Sequence, residues 1–187
     1  DADPAGWPSQ QVVDGDASHE KRAACGAFPY GFRSLGAAFS GLKFSYCEGI
    51  VMPFTGPRED QDAIRELYGM YSDCSAMADG DAFTRCFAAD GQWNTHVFTR
   101  QGTAELRAQW DQLWFAFDKV GFLTEIGSIE VQGERASARC VAREIIKLKD
   151  GGVYKLIGQY RDELVKQDGQ WVFARRDYSP IAEELPS

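Results

Sequence analysis

The sequence has little histidine and no regular spacing of cysteine. Its two histidines, His19 and His96, lie far apart. Five cysteines are scattered without a CxxC pair: Cys25, Cys47, Cys74, Cys86 and Cys140. Zinc sites and redox pairs use closely spaced Cys and His ligands. The sequence therefore predicts no metal site and no cofactor, and any catalysis must rest mainly on carboxylates, tyrosines and arginines.

An excess of positive charge and a long hydrophobic run are also missing. The 28 acidic and 20 basic residues give a formal net charge of −8. Nucleic acids and anionic membranes need a basic surface, so neither is an expected partner. The mildly apolar stretch 23–50 is interrupted by charges and glycines, which argues against a membrane span or a secretory signal. We expect a small apolar molecule as ligand and a reduced, cytoplasmic setting.

The residue pattern of the sequence changes near Met52. Residues 1–51 mix Gly, Ala, Ser and Phe without a period of 3.6 or 2, and they are predicted to be a disordered or non-native leader. From Met52 a short Pro/Gly lead-in precedes an acidic helix start, as at the beginning of a protein, although Met52 is also simply one of three methionines. We predict one domain over 52–187.

Helical and strand periods then follow one another. Apolar residues three and four apart predict a helix over 59–78. Gly80 is expected to end this helix, and Asp81 is expected to cap a second helix over 81–87. The segment "GTAELRAQWDQLWFAFDKV" predicts a third, amphipathic helix. Strands are expected near 92–98, 122–131, 135–148, 153–165 and 170–178, with turn chemistry at Gly133, "KDGG" and "QDGQ".

These elements predict an α+β fold. Three N-terminal helices would pack into a strongly curved antiparallel sheet, giving a cone-shaped α+β barrel with a pocket inside. Asp79 is unusual in this pattern, because a carboxylate in the last turn of a helix is disfavoured by the helix dipole. Burial in the pocket would raise its pKa toward that of a general base. The alternatives are an ion pair with Arg176 and exposure to solvent beside Gly80.

The order of elements resembles the SnoaL-like branch of the nuclear transport factor two-like superfamily. The resemblance covers residues 57–182 and rests on "LYGMYSDCSAMADGDAF", the strand with Trp93, "RQGTAELRAQW" and "DGQWVFARRDY". It implies a cone whose interior holds the active site. The superfamily includes polyketide cyclases, ketosteroid isomerase, scytalone dehydratase, limonene epoxide hydrolase, a hexachlorocyclohexane dehydrochlorinase and members that only bind ligands or partners, so the fold does not settle function.

The resemblance also implies site residues. In the dehydrochlorinase-like enzymes an Asp at the end of helix one orients a His base, and Asp79 matches that Asp. The His is not matched, because "DKVGFLTEIGS" contains none. The candidate catalytic residues are thus Asp79 and Arg176, the latter to hold an oxyanion or carboxylate or, alternatively, to form a structural ion pair. Trp93 and Tyr160 look matched to a strand Trp and a strand aromatic of those pockets. Together with Tyr71 and Tyr178 they are the candidate ligand-binding residues, and the alternative for the two strand tyrosines is a plain core position.

Two classes of function follow from these residues. One is a cofactor-free lyase, isomerase or cyclase that moves a proton on a small apolar cyclic substrate. The other is a non-catalytic module that binds a hydrophobic ligand or a partner. Regular alternation places Trp171 and Phe173 on the outer sheet face, which predicts a homodimer. The same alternation turns His96 away from the pocket.

Overall fold

The computed structural model describes residues 53–185, so the predicted leader 1–51 and the proposed start at Met52 lie outside the described residues. Within 53–185, three helices and seven strands form one α+β unit. The helices are α1 (Arg58–Met77), α2 (Gly80–Arg85) and α3 (Thr103–Ala116). The strands are β1 (Phe54–Thr55), β2 (Phe87–Asn94), β3 (Thr99–Gln101), β4 (Phe117–Gln132), β5 (Arg135–Leu148), β6 (Val153–Gln167) and β7 (Gln170–Glu184).

The seven strands form a single curved, unclosed sheet in the order β1-β4-β5-β6-β7-β2-β3. Strands β4 to β7 are consecutive antiparallel hairpins, which confirms the predicted meander. The sheet is not wholly antiparallel, because β1 runs parallel to β4 and β2 runs parallel to β7. Trp93 of β2 thereby pairs with Arg176 of β7. The predicted cone of helices against a curved sheet is confirmed.

The junction between α1 and α2 differs from the prediction by two residues. Ala78, not Gly80, takes the left-handed conformation that ends α1, with φ of 57°. Asp79, not Asp81, caps α2. Gly80 serves packing, since a Cβ there would lie 2.8 Å from Cδ1 of the Trp110 ring. Its missing side chain therefore lets α2 approach α3.

An irregularity in β7 overturns the predicted outer face. The pairing of β6 with β7 shifts between Glu163 and Leu164, opposite residues 173–175. A bulge of this kind reverses the alternation of side chains along a strand. Trp171 and Phe173 are consequently buried in the core, at 5% and 0% exposure. The expectation that they form an exposed dimer seam is wrong, and the homodimer itself stays a prediction.

The core lies between the inner sheet face and the helices. Helix α1 packs against β4 and β7, and α3 packs against β2 and β3. Aromatic side chains dominate the contact, with Tyr71 of α1 touching Phe83, Phe87, Phe122 and Phe173 at ring-centroid distances of 5.3–6.3 Å. Among the described residues, no helix is long and apolar enough to cross a membrane.

Candidate functional site

A pocket opens between α3, the loop after β2 and the inner face of β4 to β7. Its empty space is about 790 Å³ when the open solvent at its mouth is included. Trp110, Trp114 and Phe117 form one wall, and Phe122, Ile146 and Leu156 contribute to the sheet side. An apolar, largely aromatic lining of this kind is typical of small-molecule sites. The few polar groups in it therefore decide its chemistry.

Four of the predicted site residues meet in this pocket. Tyr71 comes from α1, Trp93 from β2, Tyr160 from β6 and Tyr178 from β7. Tyr160 and Tyr178 are directly paired across the two strands, with ring centroids 4.9 Å apart. Burial is the main cause that raises the pKa of each tyrosine. All three phenols consequently stay protonated near neutral pH and can act as hydrogen-bond donors.

The position of Tyr178 depends on a glycine. A Cβ at Gly158 would lie 2.1–2.4 Å from ring atoms and the hydroxyl of Tyr178, closer than any van der Waals contact allows. The Tyr178 ring thus packs directly against Gly158 on the neighbouring strand. Any larger residue at 158 would push the ring aside.

Glu144 is the titratable carboxyl that lines the pocket. It lies on β5 between Phe122 of β4 and Leu156 of β6, its register partners, and it is half-buried. Desolvation by its apolar surroundings raises the pKa of Glu144 to about 7, against the opposing effect of the Arg176 charge. A carboxyl with this pKa is partly ionised at neutral pH, so it can both accept and return a proton.

His96 lies at the mouth of the same pocket. Its Nε2 is 3.7 Å from Oε1 of Glu183, and its ring centroid is 6.4 Å from that of Tyr178. The expectation that His96 points away from the pocket is wrong, because β2 ends at Asn94 and strand alternation does not extend to residue 96. His96 thus joins the candidate site.

Two buried donors in the pocket wall have no hydrogen-bond partner among residues 53–185. They are Nε1 of Trp93 and the hydroxyl of Tyr178. The two residues are 7% and 9% exposed. Buried polar groups without a partner are rare in native proteins, and each calls for a physical explanation.

Arg176 lies behind the pocket rather than in it. Its guanidinium is fully buried, with Cζ 4.2 Å from the Tyr71 ring centroid and 4.0 Å from that of Tyr160. Nε and Nη2 donate to the two carboxylate oxygens of Asp162 at 2.9 and 3.1 Å. Tyr68 also donates to Asp162. Arg176 therefore forms a structural ion pair, as the alternative interpretation expected, but its partner is Asp162 and not Asp79.

Asp79 does not lie inside the pocket. Asp79 is exposed, and its Oδ1 accepts hydrogen bonds from the backbone N–H groups of Asp81 and Ala82 at 3.1 and 2.8 Å. The expected placement as a desolvated carboxylate is therefore wrong. Asp79 caps the N-terminus of α2, where the helix dipole favours a negative charge, instead of opposing the dipole at the end of α1.

The sequence analysis missed Glu144 and Asp162, yet a signal for both was present. Along β5 the even positions from 136 to 148 read Ala, Ala, Cys, Ala, Glu, Ile, Leu, so Glu144 alone breaks an apolar face. Along β6 the even positions from 156 to 164 read Leu, Gly, Tyr, Asp, Leu, and Asp162 stands out in the same way. An acidic residue at an inward position of a strand needs a partner or a function.

Residues 53–185 contain no group of three or more His, Cys, Asp or Glu side chains placed to hold a metal ion. The pocket lining instead includes one carboxyl, three phenols, three indoles, two aliphatic hydroxyls and an imidazole at the mouth. These groups can bind an apolar molecule, orient its polar atoms and exchange a proton with it.

Comparison with solved structures supports the fold. The chain is 20% identical to a provisionally assigned aromatic ring hydroxylase of Novosphingobium aromaticivorans, with a TM-score of 0.67 over 70% of this chain and 96% of that one. A provisionally assigned scytalone dehydratase of the same species is 24% identical, with a TM-score of 0.64 over 69% and 89%. The LinA-type3 hexachlorocyclohexane dehydrochlorinase of Novosphingobium barchaimii is 13% identical, with a TM-score of 0.62 over 69% and 91%.

In sequence, no curated protein is significantly similar to the chain. The family model for the SnoaL-like domain, in contrast, matches residues 57–177. That match covers more than half of the chain and includes all three helices, strands β2 to β6 and the first half of β7. The chain therefore belongs to the SnoaL-like domain family, with the cone fold of the nuclear transport factor two-like proteins.

Proposed function

We propose that the chain is a cofactor-free proton-transfer enzyme, of lyase or isomerase type, that acts on a small, mostly apolar cyclic molecule in the cone pocket. The observation that carries the proposal is Glu144, a carboxyl that lines an aromatic pocket and has its pKa raised to about 7. The structural neighbours named as a dehydratase and a dehydrochlorinase support an elimination or a related proton transfer.

The chemistry assigned to Glu144 follows from its desolvation. At neutral pH a large fraction of the carboxyl is ionised and can remove a proton from a carbon of the bound molecule. The apolar walls strengthen every electrostatic interaction in the pocket. The protonated carboxyl can then return the proton to another atom, or assist a leaving group. A positioned acid-base group of this kind contributes roughly 10²–10⁴-fold in rate.

The test is proton exchange measured by ¹H NMR in D₂O. The purified chain is incubated with cyclic ketones of increasing size, such as 2-tetralone, 2-decalone and androstenedione, and loss of the signals next to the carbonyl is followed. We expect exchange above the protein-free rate, rising through a midpoint near neutral pH. In Glu144→Gln it should fall about 100-fold or more. Asp79→Asn, which changes an exposed carboxylate, should exchange as the unchanged chain does.

A non-catalytic ligand-binding module is the second candidate. The observation that favours it is the absence of the Asp and His dyad implied by the family resemblance, since Asp79 caps α2 and lies outside the pocket. The same experiment separates the two functions. Binding of the ketones with no exchange above background supports the binding module, and exchange that persists in Glu144→Gln contradicts the role of that carboxyl.

A further inference from the structure

Two buried thiols lie where α1 meets α2. Cys74 is in the last turn of α1, and Cys86 is the residue that ends α2. Both cysteines are reduced, and they are 2% and 0% exposed. Each sulfur contacts a backbone carbonyl oxygen of its own helix, at 3.1 and 3.4 Å. Neither residue lines the pocket, so the proposed proton transfer gives these two thiols no role.

Packing around Tyr71 brings the two cysteines together. Tyr71 lies one turn before Cys74 on α1. Its ring contacts Phe83 and Phe87, which precede and follow Cys86 in the chain, at 5.7 and 6.3 Å between centroids. The side chains of Cys74 and Cys86 are hydrogen-bonded to each other. The two sulfur atoms therefore meet across the junction between the helices.

The two thiols differ in acidity. The hydrogen bond with Cys74 is the main cause that lowers the pKa of Cys86, against the effect of burial, and the charges of Arg176 and Arg85 lower it further. The same hydrogen bond, followed by burial, raises the pKa of Cys74. The thiolate is the nucleophilic form of cysteine. Cys86 is therefore the more reactive sulfur of the pair.

We propose that Cys74 and Cys86 form a reversible disulfide that joins the end of α1 to the end of α2. The oxidant is a small disulfide such as oxidised glutathione. The Cys86 thiolate attacks one sulfur of the oxidant and releases one glutathione thiolate. The Cys74 thiolate then attacks the Cys86 sulfur of the mixed disulfide and releases the second. Two protein thiols are oxidised, one glutathione disulfide is reduced, and the two protons lost by the cysteines end on the two glutathione thiols.

This disulfide would connect the redox state of the chain to the pocket wall. Tyr71 and Ser75, which line the pocket, lie within one turn of Cys74 on α1. Because both sulfurs are buried, the exchange proceeds through local opening of α2, a helix of six residues. In a reducing compartment such a disulfide is transient and responds to the supply of oxidant. The inference does not depend on the proposed proton transfer.

The test measures the disulfide by mass spectrometry in the unchanged full chain. The chain is equilibrated in buffers with different ratios of reduced to oxidised glutathione, both folded and in concentrated urea. The remaining thiols are then blocked with N-ethylmaleimide. Trypsin cleaves at Arg85, between the two cysteines, so the disulfide is detected as peptide 66–85 joined to peptide 86–100. Dithiothreitol should separate the two peptides.

The equilibrium constant for this disulfide should be at least about tenfold larger in the folded chain than in urea. The reason is that a cross-link that fits the folded structure restricts mainly the unfolded chain. Cys74→Ala and Cys86→Ala should each remove the joined peptides. Cys140→Ala is the matched control, because it also replaces a buried cysteine, and it should leave them unchanged. The proposal is overturned if the constant in the folded chain does not exceed the constant in urea, or if either cysteine pairs mainly with another cysteine.

A second readout follows the stability of the fold. The oxidised chain should unfold at a higher urea concentration than the reduced chain, and dithiothreitol should remove the difference. Cys86→Ala should unfold at the same urea concentration under oxidising and reducing conditions, which excludes a contribution from other disulfides. An oxidised chain that unfolds at a lower urea concentration than the reduced chain would show that the bond does not fit the folded structure, and would overturn the proposal.

Discussion

Replacing Glu144 with glutamine should stabilise the protein at alkaline pH and leave its stability almost unchanged in acid. The pKa of Glu144 is raised from 4.5 to about 7 in the folded chain, chiefly by desolvation. The folded state therefore binds the proton more tightly than the unfolded state. The stability that the bound proton gives the folded chain is fully present below the pKa of Glu144 in the unfolded state. It is lost as the pH rises through the pKa of Glu144 in the folded state.

The magnitude follows from the size of the shift. Each pKa unit corresponds to about 1.4 kcal/mol, so a shift from 4.5 to about 7 sets an upper limit of about 3.4 kcal/mol. Glu144 is half-buried, and solvent at the pocket mouth reduces the effect. We expect Glu144→Gln to gain about 1–3 kcal/mol in unfolding free energy near pH 8.5 and close to zero near pH 4.

The assay is urea unfolding followed by tryptophan fluorescence at several pH values between about 4 and 8.5. At each pH the unfolding free energy of the unchanged chain is subtracted from that of Glu144→Gln, which cancels the contributions from the titration of all other groups. Glu125→Gln is the matched control, because Glu125 is an exposed glutamate on the neighbouring strand β4. It should stay within about 0.5 kcal/mol of the unchanged chain throughout. A difference for Glu144→Gln that does not depend on pH, or a loss of stability near pH 8.5, would refute the reasoning.

Two further predictions concern the other carboxylates. Asp79→Ala should lower the unfolding free energy by about 0.5–2 kcal/mol through loss of the α2 cap, whereas Asp79→Asn, an equally good cap, should change it by a few tenths. Equal destabilisation by both in urea melts would contradict the capping role. Asp162→Asn should cost about 3–5 kcal/mol, because it leaves the buried guanidinium of Arg176 without a counter-charge. Tyr68→Phe, which removes only one donor to Asp162, should cost less, and a mild effect of Asp162→Asn would contradict a structural ion pair.

The sequence predicted the fold better than the site because periodicity repeats over many residues. Strand β5 has the predicted bounds of 135–148. The turns that connect the successive strands β4, β5, β6 and β7 lie at the predicted Gly133, "KDGG" and "QDGQ" segments. A site depends on single positions. One irregularity in β7 moved Trp171 and Phe173 into the core, and the end of β2 at Asn94 brought His96 to the pocket.

Asp79 shows a different limit of sequence reasoning. Its role depends on whether α1 ends at residue 77 or two residues later, and helix ends are the least certain part of a sequence-based prediction. At the end of α1 the carboxylate would oppose the helix dipole, whereas at the start of α2 the dipole favours it. A shift of two residues thus changes an unexplained carboxylate into an ordinary N-cap.

The two inward carboxyls of the sheet show how the surroundings separate structure from chemistry. Burial raises the pKa of both Asp162 and Glu144. Asp162 accepts two hydrogen bonds from Arg176 and one from Tyr68, and it does not line the pocket that contains Glu144. Glu144 lines the pocket, where a bound molecule would meet its carboxyl, and the same Arg176 only moderates its pKa. The arginine that neutralises one carboxylate therefore leaves the other able to titrate near pH 7, which is the property that a proton-transfer residue requires.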